Sequence, residues 1–204
     1  MYALPPLGKQ AERLIELGVH SLAGITDAQL HDAVTDATDD SLLVLSGVDP
    51  SALAPMLASS GKRGFVVSDM PDVDRFTPIE SLTIPASPAY LVHGPRRGDE
   101  MENWSPDEAL PAILAAGRTP LTLLEGMHWL LQVPEVLERG HCFMTIGSRL
   151  RKPNGTLDTR TPAVWISNGT GRDGKDNRNA PKVGWCWAGN RHTWLGFASA
   201  AHRT

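Results

Sequence analysis

Apolar positions recur at helical spacing in the first two thirds of the chain and at strand spacing in the last. Gln10 to Leu17 carries Leu14 and Leu17 and meets Gly18, which predicts a short amphipathic helix with a C-terminal stop. Thr26-Asp27-Ala28-Gln29 is a capping-box pattern: the Thr hydroxyl accepts an early helix N–H while Gln29 reaches back. The helix it opens is expected to run to about Thr38, with Leu30 and Val34 facing inward. Ser41 to Ser46 is short and continuously apolar between its serines, the pattern of a buried strand. Ser51 is expected to cap a further helix through Leu57, ended by Gly61; Phe65-Val66-Val67 and Ala89-Tyr90-Leu91-Val92 are further strands.

Signals are clearest in the middle. Ser105-Pro106-Asp107-Glu108 combines an N-cap serine, a proline at the first helical position and a Glu at the capping-box position, predicting a helix to about Ala116 with Gly117 as its stop. Thr122 with Glu125 offers a second capping box for a helix to Leu131, after which Pro134 begins a turn that Gly140 ends. Helices joined by so few residues are expected to pack antiparallel. Beyond Gly140 the runs Cys142–Ser148, Ala163–Ser167, Val183–Ala188 and Thr193–Ser199 are rich in β-branched and aromatic residues. Pro153-Asn154-Gly155 and Gly189-Asn190-Arg191-His192 supply turn chemistry between the outer pairs. The expected fold class is α+β: N-terminal helices with a few strands (residues 1–95), a central helix pair (96–140), and a C-terminal antiparallel meander of about four strands (141–204), covered on one face by helices, all in a single domain of 204 residues.

Composition narrows the class. With 41% hydrophobic residues the chain can bury a core without staples, and no apolar run approaches the roughly 20 residues of a membrane span. Met1 to Lys9 lacks the basic and apolar regions of a secretory signal, and two cysteines make no disulfide scaffold, so a reducing cytoplasm is the expected location. The net charge of −4 hides two unlike parts: residues 1–138 hold 8 Lys/Arg against 20 Asp/Glu, and residues 139–204 hold 11 against 3. The basic excess either attracts an anionic partner or docks on the acidic part of the same chain. Nucleic-acid binding is an alternative it allows, although no helix-turn-helix or RNP-type pattern accompanies it. Asn168 to Ala180 is a long polar loop, either mobile or ordered by a ligand. Its Gly169-Thr170-Gly171-Arg172-Asp173-Gly174 run lacks the strand-to-helix setting of a nucleotide fingerprint.

Candidate chemistry concentrates in Lys182 to Gly196, which holds Trp185, Trp187, Trp194, Cys186 and His192. On a strand Val183, Trp185 and Trp187 point one way, and Gly184, Cys186 and Ala188 the other. One reading makes the tryptophans sheet core and Cys186 an inert buried thiol. The other makes Cys186 a nucleophile with His192 as its base and Asn190 orienting the imidazole or an oxyanion. Trp185, Trp187 and Trp194 would then shape a pocket for a small anionic or aromatic molecule, with Arg191, Arg172 and Lys182 as cations and Glu100, in the acidic 98–104 stretch, as a positioned carboxylate. The same residues equally suit a non-enzymatic binder or an accessory protein. His141, Cys142, Cys186 and His192 have the ligand types of a zinc site, but no C-x2-C or H-x3-H spacing is present, so no metal and no cofactor is expected. His128 and Trp129 read as partly buried packing residues.

With these residues in view, the chain resembles an actinobacterial family of unknown function. The resemblance spans an early LIELG…LAG segment (Leu14–Gly18, Leu22–Gly24), Asp107–Pro111 with Gly117–Thr122, and Pro162–Ser167. Its most specific part is GWCWAGN-x-HTWLG from Gly184 to Gly196, and the polar insertion at 168–180 is longer than the family pattern. The resemblance implies a bacterial cytoplasmic protein and transfers no activity.

Overall fold

A computed structural model describes residues 2–35 and 40–204. Helix α1 (Leu7–Glu16) buries Leu7, Gln10, Ala11 and Leu14 on one face, and Gly18 ends it in the left-handed conformation that glycine adopts without strain. A single turn, α2 (Val19–Leu22), leads to α3 (Asp27–Asp32), whose capping box is formed: Gln29 N donates to Thr26 Oγ1 and Thr26 N to Gln29 Oε1. Leu30 and Val34 are buried, but the helix stops at Asp32; the extension expected as far as Thr38 runs into residues outside those described. Strand β1 (Ser41–Leu45) is buried throughout.

The segment after it departs from expectation. Pro50–Leu53 forms only one turn, α4, followed by a 3-10 turn; its N-cap is Asp49, and Ser51 instead donates its hydroxyl to Asp74. Gly61 closes a small hairpin of β2 (Ala58–Ser59) and β3 (Lys62–Arg63). There follow β4 (Phe65–Val66), β5 (Phe76–Pro78) and β6 (Ala89–His93). Helix α5 (Pro106–Ala115) starts from the Ser105/Glu108 capping box, and after β7 (Thr119–Pro120), α6 (Leu123–Gln132) starts from the Thr122/Glu125 box.

The remaining strands are β8 (Cys142–Met144), β9 (Ser148–Leu150), β10 (Arg160–Ile166), β11 (Pro181–Trp187), β12 (Leu195–Phe197), β13 (Ser199–Ala200) and β14 (His202–Arg203). They do not form a simple meander. The main sheet has the order β12-β8-β10-β11-β4, antiparallel across β8, β10 and β11 but parallel at both margins. After the 189–192 turn the chain crosses the sheet and lays β12 beside β8, pairing Leu195 with Cys142 and Phe197 with Met144, instead of returning alongside β11. A second sheet, β1-β6-β14, is antiparallel.

Helix α6 lies between the two sheets, and this corrects the expectation of a helix pair packed on itself. One side meets the main sheet: a Cβ on Gly126 would sit 2.6 Å from the Thr145 methyl, and Trp129 packs on Phe143 at 5.8 Å between ring centres. The opposite side meets β1, β6 and β14. The helix is therefore buried nearly all round, with Leu123 and Glu125–Leu131 all inside. Its polar residues are bonded to the second sheet: Leu45 N donates to His128 Nε2 at 3.2 Å, Tyr90 Oη donates to Glu125, and Arg203 forks onto both Glu125 oxygens. Helix α5 takes a different course, its first turn bonded through Asp107 N to Ala188 O at the end of β11.

The basic excess of the C-terminal part is spent largely inside the chain. Arg151, Arg160, Arg172, Arg191 and Arg203 pair with Glu80, Asp72, Asp69, Glu108 and Glu125, all from the acidic part. Among the described residues no helix is long and apolar enough to cross a membrane.

Candidate functional site

The strands place two separate indole clusters on opposite faces of the main sheet. Trp185 and Trp187 alternate with Cys186 along β11 and meet each other edge to face at 4.5 Å; Trp187 is 47% exposed. On the face of Gly184 and Cys186 stands Trp165 from β10, opposite Lys182 in the register. A Cβ at Gly184 would lie 2.6 Å from the Trp165 ring, so glycine is what lets this indole lie down on the strand. Trp165 meets Trp194 at 6.1 Å and 68°, and Trp194 meets His192 at 5.4 Å and 61°.

This second cluster walls a cavity of about 350 Å³ whose lining includes Trp165, Trp194, Ile166, Cys142, Asn168 and Arg139. Cys142 is fully buried, and burial pushes its thiol up to about 11. Arg139, at the mouth, donates to the side chains of Asn168 and Asn179, each at 2.6 Å, and has no carboxylate partner among the described residues. Lys182 Nζ sits 4.9 Å from the Trp165 ring centre, and its charge is answered by Asp173 at 2.6 Å.

The 168–180 loop is ordered by its own contacts. Asp173 accepts from Lys182 and from the Ser167 hydroxyl, Asn177 donates back to Asp173 O, and Arg172 pairs with Asp69 at 2.8 Å on the outer side.

The expected convergence is partial. Trp194, Lys182 and His192 gather beside the cavity, and Asn103 N donates to His192 O, so the 98–104 stretch reaches this site. Cys186 lies on the same face, but among the described residues no hydrogen bond joins it to His192. Its thiol is pushed up to about 11 by burial, with Lys182 alone acting the other way. Burial lowers the pKa of His192, and its Nε2 is enclosed without a partner. Asn190 sits exposed in the turn, its N–H donated to Trp187 O and its side chain not bonded to His192. Arg191 is held by Glu108, Trp185 and Trp187 belong to the far face, and Glu100 lines a different cavity with Arg96, Arg97 and Trp129. No group of three or more metal-ligating side chains exists among the described residues, and His141 is turned to Glu102 instead. Trp165, Arg139 and Asn168 were not picked out by the sequence; only the β10–β11 register brings Trp165 opposite Lys182.

Residues 13–204 match a family of unknown function, DUF5701, and the chain belongs to it. No curated protein and no solved structure matches the chain.

Proposed function

We propose that this protein binds a small aromatic anion in the indole-walled cavity of the main sheet. One juxtaposition carries the reading: two tryptophans set edge to face and an arginine with no carboxylate partner among the described residues border the same concavity. Trp165 and Trp194 supply apolar aromatic area, and Arg139 is already oriented by two asparagines, so the guanidinium spends little conformational freedom on a ligand. The neighbouring Lys182 is neutralised by Asp173, which makes Arg139 the group for a carboxylate or phosphate. Binding is favoured over covalent turnover because burial keeps Cys186 a protonated thiol at neutral pH, and a thiol is a poor nucleophile.

Calorimetry with benzoate and with benzamide tests the reading. Benzoate is expected to bind, benzamide to bind at least about tenfold more weakly, and Arg139→Gln to remove the difference. Equal binding of the two, or benzoate affinity unchanged in both Arg139→Gln and Trp194→Ala, would overturn it.

A further inference from the structure

A second cavity, of about 320 Å³, opens at the start of α6, away from the indole site. Its walls are apolar: Val48, Phe76, Ile84 and Leu124 line it together with the ring of Tyr90. Both charged residues in its lining are carboxylates, Asp49 and Asp74, and no Lys, Arg or His among the described residues lines it. Asp74 accepts from the Ser51 N–H and hydroxyl at 2.8 and 2.7 Å, which holds its position, and it has no cationic partner among the described residues. The Asp49 carboxylate is exposed and, among the described residues, makes no hydrogen bond or ion pair, although it stands at the N-cap of α4. Arg160, whose guanidinium lies 5.3 Å from the Phe76 ring centre, is committed to Asp72 and Asp158.

The adjacent helix end does not make this an anion site. Within the first turn of α6, Leu123 N donates to Ser148 Oγ and Glu125 N to Thr122 Oγ1, while Thr122 N donates to the Glu125 carboxylate. The buried negative charge of Glu125 is itself matched by Arg203. What remains unmatched is the pair of acids beside an apolar, aromatic hollow.

We infer that this cavity is a binding site for an amphipathic organic cation, with the ammonium group between Asp49 and Asp74 and the apolar body against Phe76, Ile84 and Leu124. Opposite charge fixes the orientation, aromatic rings favour a cation near their faces, and the apolar walls reward burial of the hydrocarbon body. A carboxylate of the same shape is repelled by both acids.

The probe is 2-phenylethylammonium, compared by calorimetry with 2-phenylethanol and 3-phenylpropionate on the full chain. The ammonium is expected to bind at least tenfold more tightly than the alcohol, and the carboxylate more weakly than either. Asp49→Asn, at an exposed and unbonded side chain, is expected to cut ammonium affinity about tenfold and leave the alcohol unchanged. Ile84→Trp, which fills the hollow from a half-buried position, is expected to abolish binding of both. No binding of 2-phenylethylammonium at millimolar concentration, equal affinity for ammonium and alcohol, or ammonium binding that survives Asp49→Asn but is lost in Trp194→Ala would overturn the assignment.

Discussion

Arg203, in the last strand, grips Glu125 in the central helix with two nitrogens on two oxygens, Nη2 to Oε2 at 2.7 Å, and both side chains are closed off from solvent. Thr119 Oγ1 and Pro120 O accept two further guanidinium protons, and Tyr90 donates its hydroxyl to Glu125. Burial and the Glu125 charge together raise the Tyr90 pKa, so the phenol keeps the proton it donates. A buried carboxylate is tolerable when paired and costly when stranded. Arg203→Leu is expected to cost about 3–5 kcal/mol in urea denaturation. Arg203→Leu combined with Glu125→Leu is expected to cost far less than the two single changes added together, because each single change strands the other partner.

His128 sets a different pH window. It is fully buried, its Nδ1 donates to Leu124 O at 2.9 Å, and burial lowers its pKa to about 4. The unfolded chain takes up this proton near pH 6.5 and the folded chain only near 4, so stability from this residue is complete above 6.5 and falls as pH drops towards 4. The loss across that window is expected to be roughly 3 kcal/mol. His128→Gln is expected to flatten the slope between pH 6.5 and 4. Acid losses through Asp72, whose carboxyl the Arg160 fork holds below its usual range, come at lower pH. A wild-type curve flat from pH 6.5 to 4 would refute the assignment.

Gly184 is where the strand yields to an indole. Gly184→Ala puts a methyl 2.6 Å from the Trp165 ring and is expected to cost about 1–3 kcal/mol while displacing one wall of the cavity. Benzoate affinity should therefore fall in this variant; full affinity with wild-type stability would show that the ring gives way freely.

Cys186 should be a slow thiol. With Cys142 replaced by Ser, iodoacetamide labelling of the native protein is expected to rise steadily with pH and to reach half its maximum only near 11. A midpoint below about pH 8 would return Cys186 and His192 to the role of nucleophile and base.

Asp173 holds the 168–180 loop to β11 through Lys182 and to the end of β10 through Ser167. Asp173→Ala leaves a half-buried ammonium without its acceptor, and a stability loss of about 1–3 kcal/mol is expected, with faster proteolysis within the loop. Cleavage at the wild-type rate would show that the loop does not depend on this anchor.

The three capping boxes, at Thr26, Ser105 and Thr122, form where their residues predict, and the runs expected at 41–46, 89–92, 163–167 and 183–188 fall, to within one to three residues at their ends, on the strands at 41–45, 89–93, 160–166 and 181–187. These features depend on hydrogen bonds and side-chain alternation within a few neighbouring residues, so the sequence alone determines them. Three decisions needed the tertiary structure: that β12 crosses to lie parallel to β8, that α6 sits between two sheets, and that Trp165 joins Trp194 while Trp185 and Trp187 turn to the far face. Glu125 shows the division within one residue: its bond to Thr122 is written three positions away, whereas its partner Arg203 lies 78 positions on. Strand order, register and the choice of face are settled by competition among surfaces remote in the chain, and no local window of residues contains that outcome.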